Sequence, residues 1–112
     1  MNPRSPGPLF IFPPAEVPIG TIKIYTNEMI SIVVSHLPDD TWGAVENLCS
    51  HDNGTLGEGY LQNNRVICPR HGASFDCISG AAKSLPAVRS ILAYSVSLQD
   101  NGYMAIDHQV SS

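Results

Sequence analysis

Proline, glycine and asparagine cut this chain every few residues into short β-branched runs, and that punctuation leaves little room for helix. Six of the nine prolines fall within residues 1–18. This segment is therefore extended, with Leu9-Phe10-Ile11-Phe12 its one apolar run able to join a sheet, and residues 1–8 read as a flexible tail. Thr21 to Tyr25 and Met29 to Val34 are β-branched and separated by Thr26-Asn27-Glu28, which predicts a hairpin. Leu37-Pro38-Asp39-Asp40 predicts a turn, and the residues from Trp42 a third strand ending near Leu48. Between Cys49 and Gly80 lie five of the nine glycines, so this stretch reads as loop, apart from a short strand Arg65-Val66-Ile67 set up by the Asn63-Asn64 turn. The run from Ala81 to Tyr94 has spacing that a helix could use, but Pro86 interrupts it, so loop followed by strand is expected. Asp100-Asn101-Gly102 ahead of Tyr103-Met104-Ala105-Ile106 predicts a closing hairpin with a two-residue turn. The fold class is all-β, and residues 9–112 form a single domain.

At 112 residues the chain has room for one core. Six Lys and Arg against ten Asp and Glu give a net charge of −4, with no basic run, so nucleic acid is not an expected partner. No segment reaches the roughly 18 apolar residues of a membrane-spanning helix, and the first 18 residues lack both a secretory h-region and a twin-Arg pair. The expected location is the cytoplasm, without membrane association. Three cysteines, an odd number, do not suit a disulfide framework and are expected to be ligands or thiols.

Two ligand pairs carry the chemistry: Cys49-Ser50-His51 and Cys68-Pro69-Arg70-His71. A Cys and a His this close, presented twice from Gly-rich loops, can hold iron or zinc.

The pattern Cys-x-His, a spacer of sixteen residues, then Cys-x-x-His resembles the Rieske family. The likeness extends to Leu56-Gly57-Glu58-Gly59, Gly72, Phe75-Asp76, Gly80 and Leu85-Pro86-Ala87, over roughly residues 9–107. It is greatest to the small ferredoxins of bacterial multicomponent, aromatic-ring-hydroxylating oxygenases. The resemblance implies a Rieske fold: a small antiparallel β-sandwich or barrel-like base, with a cluster-binding subdomain of two ligand loops at about residues 48–86. It also implies one 2Fe-2S cluster per chain, with Cys49 and Cys68 on the inner iron and His51 and His71 on the outer iron, where the added electron would reside. Gly54, Gly57, Gly59 and Gly72 would let main-chain N–H groups approach the sulfides, while Pro69 and Pro86 would wall off water.

Respiratory-type members carry an extra Cys in each ligand loop, where this chain has Gly54 and Arg70. They also carry a Ser and a Tyr, donors to sulfur, where this chain has Ala73 and Phe75. Fewer such donors predict a reduction potential toward the low end of the Rieske window of about −150 to +300 mV.

The implied function is one-electron carriage and not catalysis: electrons from an NAD(P)H-dependent flavin reductase pass to a terminal Rieske non-haem iron oxygenase through transient contacts at the His51/His71 edge. Alternatives are a protein like the nitrite reductase small subunit, a structural zinc-binding interaction module and an iron–sulfur sensor. Cys77 reads as a small packed residue, His36 and His108 as ordinary surface or turn residues, and Trp42, Tyr60 and Phe75 as core. Arg70 and Lys83 would either meet an acidic partner or stand as solvated charges.

Overall fold

A computed structural model describes residues 8–49, 55–69, 72–85 and 89–109. Strands β1 (Phe10–Phe12), β2 (Thr21–Thr26), β3 (Ser31–His36), β4 (Trp42–Glu46), β9 (Ala93–Leu98) and β10 (Met104–Gln109) form one antiparallel sheet in the order β1-β10-β9-β4-β3-β2. Strands β5 (Tyr60–Gln62), β6 (Arg65–Ile67), β7 (Ser74–Asp76) and β8 (Ala82–Ser84) form a second, four-stranded antiparallel meander.

The large sheet curls. Phe12 on one edge strand stacks on Tyr25 of the other at 4.8 Å, and Trp42 packs against Phe12 at 5.8 Å. Inside the curl lie Phe12, Val17, Ile32, Val34, Ala44, Met104 and Ile106. The outer face of the same sheet packs on the meander through Val33, Val45, Leu56, Val66, Phe75, Ile91 and the three cysteines. Successive residues of β3 therefore enter opposite cores, which is why Ile32-Val33-Val34 is an unbroken apolar run and not an alternating one.

Strand content and the β2–β3 hairpin follow the sequence expectation, with three corrections. First, the stretch read as loop from Cys49 to Gly80 holds β5 and β7 as well as β6, and Ala82–Ser84, also read as loop, is β8. Three-residue strands paired edge to edge leave no periodicity to detect. Second, the β9–β10 connection is not a two-residue turn. Gln99 N–H donates to Tyr103 O, leaving Asp100-Asn101-Gly102 as a three-residue loop in which only Gly102 takes positive φ, at +90°.

The third correction concerns His36. It is not a surface or turn residue but a buried one on β3, its ring stacked on Trp42 at 3.8 Å. Nδ1 lies 2.8 Å from Val17 O, and Nε2 lies 2.6 Å from Asp40 Oδ1. The carboxylate four residues on is what lets a histidine end a buried strand. His108 falls within β10, not in a turn.

Candidate metal centre

Cys49 follows β4 of the large sheet, and Cys68 follows β6 of the meander. Both are buried, at 0% and 2% exposure, and they share one apolar cluster with Val66, Ala73, Phe75 and Ile91. No disulfide joins them to each other or to Cys77. The fold thus delivers two thiols from different sheets into the seam between the sheets, as a shared iron or zinc centre requires. His51, Arg70, His71, Gly54, Pro86 and Ala87 lie outside the described residues.

Local geometry explains each neighbour. The second loop is the tip of the β6–β7 hairpin, where Cys68 N–H donates to Ala73 O at 2.7 Å and Gly72 N–H to Cys68 O at 3.2 Å. Gly72 has φ of +77°, a conformation that costs an L residue energy, so glycine fits the turn out of the ligand loop. Gly57 and Gly59 have a different reason for being small from the expected approach to sulfide. A Cβ on Gly57 would lie 2.3 Å from Ile24 Cγ1, and one on Gly59 would lie 1.8 Å from Ile67 O. Both are packing requirements of the fold.

Ala73 and Phe75 are fully buried beside the cysteines and offer no hydroxyl. Ser74, between them on β7, faces away, and its hydroxyl pairs with that of Ser84 at 2.8 Å. Cys77 is buried in the same cluster, and burial pushes its thiol up to about 11, so it packs as an apolar residue. Phe75 is core as expected and Trp42 is partly buried in the inner cluster, but Tyr60 is 56% exposed on the outer strand of the meander. Its strand partner Ile67 lies on the same face of the meander, and the adjacent pair Leu61 and Val66 faces the seam. Lys83 is exposed on β8, close enough to Asp76 to help hold its carboxyl low.

A curled sheet carrying a four-stranded meander, with one buried cysteine leaving each, defines a Rieske-type iron–sulfur domain. The family model described as the Rieske [2Fe-2S] domain matches residues 8–97, and the chain belongs to that family. A 3-phenylpropionate/cinnamic acid dioxygenase ferredoxin subunit of Photorhabdus laumondii is 35% identical over 105 residues, covering 90% of this chain and 96% of that protein. The solved ferredoxin of Sphingomonas yanoikuyae B1 is 34% identical, with a TM-score of 0.79 over 90% of this chain and 98% of its own. A chain in a complex of reduced oxygenase and oxidized ferredoxin in carbazole 1,9a-dioxygenase shares the fold, with a TM-score of 0.82 at 22% identity over 93% of this chain and 96% of its own. The protein is a ferredoxin of the Rieske type: it carries one 2Fe-2S cluster per chain and serves as an electron-transfer component, not as a catalytic enzyme. No helix among the described residues is long and apolar enough to cross a membrane.

Proposed function

We propose that this chain carries single electrons from an NAD(P)H-dependent flavin reductase to a terminal Rieske non-haem iron oxygenase in the cytoplasm. Cys49, His51, Cys68 and His71 would hold the cluster, and the two histidines would form the edge at which both partners dock in turn. Residues 48–86, which include the meander, would act as the cluster-binding subdomain, and residues 1–8 as a tail outside the domain. The observation that carries the reading is the burial of Cys49 and Cys68 in one seam although they leave different sheets. The naming of relatives as dioxygenase ferredoxin subunits supports the choice of partners.

When bound, the cluster supplies a single site that gains and loses one electron. The chain's own residues do the rest. Phe75, Ala73 and Ile91 exclude water from the thiolate side of the seam, so any exposed edge must lie on the side away from them. Small, transient interfaces suit a carrier that exchanges one partner for the other.

Visible absorption and low-temperature EPR of the purified protein, as isolated and after dithionite, test the assignment. A red-brown protein with a rhombic reduced signal, and an average g below that of all-Cys ferredoxins, is the expected result. A colourless protein with stoichiometric zinc would instead establish the structural-module alternative. Replacing His51 or His71 with Ser should abolish the mixed-ligand signal. Reconstitution with an NAD(P)H-dependent flavin reductase and a terminal oxygenase should give electron transfer that fails with either variant.

A further inference from the structure

The two ligand loops are closed at their bases by different means. The second is a hairpin tip, held by main chain across Cys68 and Ala73, with the Ser84 hydroxyl reaching Gly72 O at 3.4 Å. The first leaves β4 of the large sheet and reaches β5 of the meander through the short helical turn Leu56–Glu58, so its two ends belong to different sheets, and among the described residues no β-ladder joins them. A side chain spans the gap. Asn47 Oδ1 accepts Gly57 N–H at 2.6 Å, while Asn47 Nδ2 donates to Ser31 Oγ at 2.9 Å. Ser31 Oγ in turn shares a hydrogen bond with Thr26 Oγ1 at 2.8 Å, and Asn47 N–H donates to Ser31 O at 2.9 Å. On its other side Gly57 is pressed onto Ile24, where a Cβ would clash. The neck of loop 48–56 is thus held between an amide and a methyl-bearing wall.

We propose that Asn47 is a positioning residue for the cluster: its amide pins both ends of the first ligand loop to β3 and so sets where Cys49, two residues on, stands relative to Cys68. This rests on the assignment of Cys49 and Cys68 as ligands. The position needs a group that accepts from a main-chain N–H and bonds a hydroxyl together. Asparagine does both, aspartate keeps the acceptor while Ser31 turns to donate, and leucine does neither. Groups that orient metal ligands from outside change metal affinity by about 10- to 100-fold when lost.

The test compares the holoprotein with Asn47→Leu and Asn47→Asp, reading iron release to a chelator, the EPR spectrum of the reduced form and far-UV circular dichroism. Asn47→Leu should release iron about tenfold faster or more, with altered g values and unchanged circular dichroism, and Asn47→Asp should stay within about threefold of wild type. Release and g values in Asn47→Leu equal to wild type would overturn the proposal. So would equally rapid release from both variants, because the acceptor would then be irrelevant. If Asn47→Leu fails to accumulate, Ser31→Ala decides: it removes only the outer bond, and faster release supports the pin while wild-type release refutes it. Failure of the ligand assignment is separately visible as an unchanged Rieske spectrum in Cys49→Ala.

Discussion

Replacing His36 with Phe isolates the buried hydrogen bonds of the inner core from the stacking that accompanies them. Phenylalanine preserves the ring against Trp42, 3.8 Å away in the native stack, but removes both nitrogen contacts. Val17 is fully buried, so its carbonyl, now 2.8 Å from Nδ1, loses its partner where water cannot replace it. An unsatisfied buried acceptor costs about 1–3 kcal/mol. The Asp40 contact adds less, about 0.2–1 kcal/mol, because that carboxylate is 73% exposed. The sum is about 2 kcal/mol, or a fall of about 8 °C in Tm for a domain of this size. Urea unfolding of the loaded protein, followed by Trp42 fluorescence, measures it. The potential should not change, since His36 ends β3 about 17 Å of extended chain from Ser31, where the ligand loop is anchored. A loss below about 0.5 kcal/mol would mean that the two ring-nitrogen contacts contribute little to the inner core, and a shifted potential would mean that His36 is coupled to the cluster.

Gly59→Ala should destabilise by more than about 2 kcal/mol and Gly57→Ala by less, because the first Cβ meets the Ile67 carbonyl and the second meets side chains, chiefly the flexible Ile24 and, at 3.1 Å, Asn47 Oδ1; chemical denaturation should also show Ile24→Ala partly rescuing Gly57→Ala and leaving Gly59→Ala unchanged. The Asp76 carboxyl is raised by partial burial but held below its usual range overall by the N–H groups of Ser79 and Ile78, the Ser79 hydroxyl and Lys83. A depressed folded value means stability present above the unfolded pKa and lost as pH falls through the folded one. Asp76→Ala should therefore cost about 0.5–1 kcal/mol at pH 7, after allowance for its solvent-facing side, and the gap to wild type should close below about pH 4 in thermal melts. Cys77, with its thiol pushed up to about 11, should resist iodoacetamide in the native holoprotein at pH 8 and alkylate only on unfolding, as mapped by peptide mass spectrometry. Protein-film voltammetry should give a potential in the lower part of the roughly −150 to +300 mV Rieske range, with Ala73→Ser and Phe75→Tyr each raising it; a wild-type value above about +100 mV would contradict the argument from missing hydroxyls.

Much of this protein is legible in its residues read one after another. The Cys49/His51 and Cys68/His71 boxes name a metal chemistry, because thiol and imidazole at short spacing have few other uses. The β2–β3 hairpin and the strand character of β9 and β10 follow from β-branched runs between turn residues. These signals are local, and the chain carries them whatever surrounds it.

Tertiary structure decided what depends on partners far apart in sequence. Strands β5, β7 and β8 are three residues each, too short to have a period, and exist only because they pair within the four-stranded meander. The burial of His36 rests on a carbonyl at Val17 and a carboxylate at Asp40 that only the folded strand brings to its ring. The need for glycine at positions 57 and 59 comes from Ile24 on a strand of the other sheet and from a carbonyl at Ile67. Asn47 looks like any polar residue beside a ligand box until its amide is seen bridging two segments that belong to different sheets. Composition and spacing report what a residue can do; which atoms it must satisfy is settled when the two sheets close on each other, since a buried polar group has to find its partner there.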